Sequence, residues 1–281
     1  MADLSPLLEA LAFVEDHLRA PIAVADMAAA AGYSLYHFSR VFNTATHHTP
    51  YSYLIRRRLA EAARALVDTD ALVIDVALDY QFNNPETFTR ACRRVFGATP
   101  SRLRASGYLD PHDLMPALTV RHLDYLAAHR EALRPVFVRR RPLSLAGLMA
   151  WTGDEAAPCA GLWSRFEAVV ARHDALAALP DRYGLRWYPP GWARDGFAYL
   201  AAVRLPDASV DLTGTPLVRK TLPGGPYVRF SHAGPPETLG LLLDYVYHTW
   251  LPNAERTLAA PFVLEHCEDS ERTLFFPLCP A

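Results

Sequence analysis

VIDVALDYQFNNPETFTRACRRVFG, residues 73–97, is the stretch from which the fold can be read. Val73, Val76 and Ala77 are spaced as one face of a short helix. After the aromatic pair Tyr80 and Phe82, Asn84 stands as an N-cap, Pro85 takes the first helical position, and Glu86 lies near the positive end of the helix dipole. In the helix that follows, Thr87, Arg90 and Arg94 fall at i, i+3 and i+7, with Glu86, Thr89 and Arg93 as an adjoining polar strip, while Cys92 belongs to the apolar side. Helix, turn and helix with a polar outer face is the helix-turn-helix plan.

The plan occurs twice. IAVADMAAAAGYSLYHFSRVFNTAT, residues 22–46, matches it in type about 50 residues earlier. Gly32 sits where a tight turn needs a left-handed residue, and Ser34 caps the next helix. That helix turns Phe38, Val41 and Phe42 to one side and leaves Tyr36, Ser39, Arg40 and Asn43 on another. A helix over about residues 6–19 precedes the first unit. A long helix opened by Thr49-Pro50 and carrying Arg56, Arg57 and Arg58 joins the two, and Thr99-Pro100 starts a last short helix that Gly107 ends.

At 281 residues the chain is about two domains long. Its composition, 51% apolar and 21% charged, is that of a soluble globular protein, and no apolar run is long enough for a membrane span. The acidic N-terminus does not resemble a secretory signal, so the cytoplasm is the expected location. Cys92, Cys159, Cys267 and Cys279 lack metal or disulfide spacing, and neither a metal nor a cofactor is expected. The net charge of −2 conceals a pattern. Residues 1–32 sum to −4, 33–67 to +4, 68–81 to −4 and 82–108 to +4, so each positive block coincides with an outer helix. Basic blocks at that place suit phosphate.

AGYSLYHFSRVF, YLIRRRLAEAARAL and ALDYQFNNPETFTRACRRVFGATPSRLR resemble the AraC/XylS DNA-binding domain over about 100 residues. The resemblance implies two helix-turn-helix units on one long helix, set in successive major grooves of an operator. Carried over by position, it assigns base contacts to Tyr36, Ser39 and Arg40 in the first unit and to Pro85, Glu86, Thr89 and Arg90 in the second. Arginine can bond both acceptors of guanine, which favours Arg40 and Arg90 for direct readout. Arg56, Arg57, Arg58, Arg93 and Arg94 are expected on phosphates, which position without specifying sequence.

A linker is expected over 108–135. Beyond it, short strand-like runs alternate with proline, glycine and two helical stretches, an α+β pattern. LSLAGLMAWTG, a helix over 160–172 and strands near 184–189 and 197–205 are echoed by YVRFSHAG, a helix over 236–250 and strands near 262–267 and 273–278. Two strand-helix-strand-strand repeats meeting edge to edge predict a curved antiparallel sheet with a central cleft. PGGPYVRFSHAGP, Trp250-Leu251-Pro252 and PFVLEHCED make residues 136–281 similar to the GyrI-like effector-binding domain. That resemblance implies a glutamate in the cleft, Glu265 by position, attracting cationic aromatic ligands. The tyrosine often found two places after it is Cys267 here. Glu265 interrupts the apolar strand FVLEHC, where a carboxylate needs compensation by a ligand cation or by an internal arginine or hydroxyl. Trp163, Tyr188, Tyr199 and Tyr227 are the candidate aromatic walls.

The expected function is therefore a one-component transcription regulator, not an enzyme, with residues 1–107 on DNA and a small effector in the carboxyl half. RNA polymerase is a further expected partner, and a monomer is favoured over a dimer because both reading units lie in one chain. Two rivals stand beside it. The carboxyl half could hydrolyse electrophilic small molecules through Glu265 with Tyr199 or Tyr227, or it could be a ligand-free structural module.

Overall fold

Thr49, Asn84 and Thr99 each precede a proline, and each caps a helix by accepting a hydrogen bond from the backbone N–H three residues on. The computed structural model describes residues 4–153, 160–206, 210–268 and 271–280. The capped helices are α4 (Pro50–Asp68), α6 (Pro85–Phe96) and α7 (Pro100–Ser106), joined by α1 (Ser5–Asp16), α2 (Val24–Ala30), α3 (Leu35–Thr46), α5 (Val73–Asp79) and α8 (Val120–Ala128). These helices form one unit, running to Ala128 and taking in Asp244–Pro252; the other unit comprises His129–Leu243 and the chain from Asn253.

Both helix-turn-helix units are present, α2–α3 and α5–α6, and a single apolar cluster from Leu7 to Leu123 runs through them. α1 ends at Asp16, short of the expected residue 19. The chain turns there, and the carbonyls of Leu18 and Ala20 accept from Arg58 at 2.9 and 2.6 Å. The segment expected as a linker is largely built into this unit. Met115 and Leu123 join its core, and Leu118 donates its backbone N–H to the Tyr53 hydroxyl at 3.2 Å.

In the second unit the strands are β1 (Val136–Arg140), β2 (Leu143–Thr152), β3 (Arg182–Trp187), β4 (Phe197–Arg204), β5 (Val218–Leu222), β6 (Gly225–His232), β7 (Phe262–Cys267) and β8 (Arg272–Pro277). They form one sheet in the order β1-β6-β8-β7-β3-β4-β2-β5, antiparallel throughout. The two repeats are β2-α9-β3-β4, with α9 at Ala160–Val170, and a second made of β6, the helix Leu239–Tyr245, β7 and β8. They meet where β3 pairs with β7. Each edge strand precedes one repeat but pairs with the other, β1 with β6 and β5 with β2, so the repeats are interlocked rather than abutted.

Helix α9 buries Leu162, Phe166 and Val170, spaced four apart on one face. Burying each such side chain fully contributes about 1.5–3 kcal/mol. The helix packs over β2 and β4, which brings Trp163 beside Tyr199. Cys159 lies outside the described residues, and no helix among them is long and apolar enough to cross a membrane.

Candidate functional site

Helices α3 and α6 repeat each other's exposure from Tyr36 to Ala45 and from Glu86 to Val95. Phe38 and Phe42 of α3, like Phe88 and Cys92 of α6, are fully buried. Around these anchors the outward positions correspond: Tyr36 to Glu86, Ser39 to Thr89, and Arg40 to Arg90, with Tyr36, Glu86, Arg40 and Arg90 in solvent and Ser39 and Thr89 half-buried. Burial also pushes the Cys92 thiol up to about 12, consistent with a core role. Ser34 and Asn84 cap the two helices through the backbone N–H groups of His37 and Thr87.

Tyr36 is 74% exposed, and the Arg40 guanidinium lies 5.7 Å from the centre of its ring, which holds the cation over an outward face. Ser39 already donates its hydroxyl to the Leu35 carbonyl at 2.8 Å, so its oxygen is left mainly as an acceptor. Pro85 is half-buried at the start of α6, and Glu86, Arg90, Arg93 and Arg94 are exposed. The basic pair Arg93 and Arg94 lies in the last turn, where the helix dipole favours cations. The side chains named as base contacts thus lie on two outward faces, one per unit.

The three arginines of α4 separate. Arg57 and Arg58, expected on phosphates, are buried at 4% and 5% exposure. Arg57 donates Nε to Glu15 at 2.8 Å, Nη2 to Glu15 at 2.6 Å and to Glu61 at 2.9 Å, and Nη1 to the Met115 carbonyl at 2.7 Å. Those two expectations are corrected: both guanidiniums are taken up inside the unit, because α4 runs through its core and residues 57 and 58 fall on the covered side. Arg56 is half-buried. Burial first, and the nearby Arg94 charge second, lower its guanidinium to about 10, and an anion beside it would favour the charged form.

In the sheet unit, Glu265 and Arg186 are both 0% exposed and form an ion pair between Oε1 and Nε. The Tyr199 hydroxyl donates to Oε2 at 3.1 Å, and Arg272 Nη1 lies 3.5 Å from the same oxygen. Trp163 Nε1 donates to the Tyr199 hydroxyl at 3.3 Å. Register explains the meeting: Gly184 is opposite Glu265 on one side and Ala201 on the other, so Glu265, Arg186 and Tyr199 share a face. A Cβ at Gly184 would collide with the Tyr199 hydroxyl and crowd Glu265, so the approach requires glycine there. Burial first, and the Glu265 charge second, push the Tyr199 phenol well above its usual value. Burial and Glu265 also push the Cys267 thiol up to about 12.

Of the two kinds of compensation open to Glu265, the fold supplies the internal one. Arg186 was not singled out from the sequence, although YGLRWYP carries the same signal as FVLEHC, a lone charge in an apolar strand. Tyr188 lies at the end of β3 and packs against Trp192 and Phe197, with ring centres 4.9 and 5.0 Å away. Tyr227 is not part of the cluster. Glu265 is opposite Leu274, which is opposite Phe230, so Tyr227, three residues from Phe230, falls on the other face and bonds the Pro223 carbonyl at 2.8 Å. Among the described residues no group of three or more His, Cys, Asp or Glu side chains is placed to hold a metal ion.

Residues 27–106 match a helix-turn-helix domain family, and residues 135–275 match the GyrI-like small molecule binding domain. The right origin-binding protein of Escherichia coli K12 is 29% identical over 250 residues, covering 86% of this chain and 83% of that protein. The regulatory protein SoxS of the same organism is 36% identical over 94 residues, covering 34% of this chain and 88% of its own. A solved structure of SAV2435 bound to tetraphenylphosphonium covers 52% of this chain and 94% of that one, with 18% identity and a TM-score of 0.42.

Proposed function

Because the chain belongs to the AraC-type helix-turn-helix transcription regulators that carry a GyrI-like small molecule binding domain, we propose that it reads an operator with the outer faces of α3 and α6. The carrying observation is the equivalence of those faces: each presents an exposed arginine, Arg40 or Arg90, one helical turn beyond an exposed polar residue. Both faces belong to one chain, so a monomer can occupy two major grooves about 34 Å apart. Arg93, Arg94 and Arg56 supply phosphate contacts, and RNA polymerase is the partner whose access or recruitment the bound regulator controls.

The sheet unit is a sensor rather than a catalyst in this reading. A hydrolase built on Glu265 needs a carboxylate free to take a proton and a phenol beside the substrate. Glu265 is instead engaged by Arg186, Tyr199 is fully buried, and Tyr227 is on the opposite face. A cationic effector would have to compete with Arg186 for Glu265. Thermal denaturation against cationic, neutral and anionic aromatics ranks the ligand classes, since a ligand of the folded state raises the midpoint.

The test of the DNA reading is selection of duplexes from a random pool by the full chain, followed by titration of Arg40→Ala and Arg90→Ala. Each is expected to weaken the selected site by about 1–3 kcal/mol and to relax preference at one base position. Equal loss on selected and unrelated DNA would reassign both residues to the phosphates.

A further inference from the structure

The two helix-turn-helix units differ at their turns. The left-handed residue is Gly32 in the first unit, at φ 66°, and Gln81 in the second, at φ 64°. The turns are otherwise the same. Gly32 N–H donates to the Ala29 carbonyl at 3.0 Å and Tyr33 N–H to Ala28 at 2.9 Å; Gln81 N–H donates to Leu78 and Phe82 N–H to Ala77, both at 2.9 Å. A side chain at such a φ is uncommon and unfavourable, so its presence invites a functional account.

The Gln81 side chain reaches the first unit. Its Nε2 donates to the Arg19 carbonyl at 2.6 Å. The preceding residue is Ala31 in the first turn and Tyr80 in the second. The Tyr80 hydroxyl accepts from Arg19 Nη2 at 3.2 Å, and the Arg19 guanidinium lies 5.0 Å from the centre of the Tyr80 ring. The second turn has therefore gained side chains at two successive positions, and both grip one residue in the turn after α1. Beside this clasp lies an open cleft of about 420 Å³, lined by Glu15, Asp16 and Leu18 from α1 and its turn and by Arg57 and Glu61 from α4. Leu18 and Tyr80 belong to the apolar cluster that runs through both units, and at its edge the clasp adds directed polar contacts between them.

We propose that Arg19, Tyr80 and Gln81 are specificity-determining residues, which fix the second unit against the first and so set the spacing of the two half-sites. The inference rests on α3 and α6 reading DNA together. One extra base pair moves a half-site by about 3.4 Å and rotates it by about 35°. Base-edge hydrogen bonds tolerate only a few tenths of an ångström, so a clasped pair rejects the change whereas a hinged pair follows it.

The test uses the full chain, the duplex it selects from a random pool, and versions with one base pair inserted or removed between the half-sites. The wild type should lose about tenfold or more in affinity on either altered duplex, the scale of a lost base contact. Arg19→Ala combined with Gln81→Gly should lose no more than about threefold there, and its affinity for the selected duplex should lie within about threefold of wild type. Glycine suits the left-handed turn, so the single Gln81→Gly variant should melt no lower than wild type, which separates spacing from stability. A double variant that keeps the wild-type spacing penalty overturns the proposal. That outcome leaves the DNA reading intact, whereas selection of a single half-site by the wild type, or enrichment of no sequence at all, would overturn the two-face reading and the proposal with it.

Discussion

Arg57 in the helical unit and Arg186 in the sheet unit are both buried and both ion-paired, but their partners stand differently toward water. The Glu15 and Glu61 side chains keep 27% and 26% of their exposure, while Glu265 keeps none. Removing Arg57 lets two carboxylates turn outward and rehydrate. Breaking the Arg186 pair strands a charge in the interior, where the desolvation penalty is no longer offset. The difference teaches that burial of an ion pair predicts little until one asks where the surviving partner can go.

The largest effect should follow Glu265→Gln, which leaves the Arg186 guanidinium without its counter-ion and should cost about 3–5 kcal/mol in chemical denaturation. Replacing both partners together, Arg186→Met with Glu265→Leu, should recover most of that loss, because two apolar side chains leave no charge to solvate. A Glu265→Gln variant as stable as wild type would break the comparison. Arg57→Ala should cost less, about 2 kcal/mol, with the Met115 carbonyl left to find water. If it matches the Glu265 variant, exposure of the partner carboxylates is not what separates the two sites.

The third effect needs acid to become visible. Burial, with Arg56 and His47 adding to it, holds the His48 imidazole down to about 3. In the unfolded chain it titrates near the usual value of about 6.5. Between those values the unfolded state binds a proton that the folded state refuses, so stability is complete above about pH 6.5 and falls as the pH descends toward 3. His48→Gln should flatten that acid limb. An unchanged limb would assign the loss to other groups.

The helical half was legible because its signals are local. Capped prolines, a left-handed glycine and apolar residues at helical spacing name their elements without reference to distant chain, and the repeat doubles the apolar spacing and the capped outer helix. The arginines of α4 were less legible for the complementary reason. Three consecutive cations look alike in sequence, but 100° of rotation per residue sends Arg57 and Arg58 into the core and leaves Arg56 at its edge. In the sheet half, the strands and their repeat could be read from alternation and punctuation, and Glu265 from its isolation. Its partner could not, because Arg186 is joined to it through the β3–β7 register, which depends on pairing across 79 residues. Tyr227 was misplaced by the same gap: in a strand, one residue more or less exchanges the faces.

Gln81 leads to a further consequence, concerning how this protein can be improved or can drift. Glycine at that turn would relieve the backbone, and selection for thermal resistance alone should favour it. The same replacement deletes the bond to Arg19, so a hardier regulator would be a less discriminating one. If the clasp sets the spacing, durability and fidelity are opposed at a single codon.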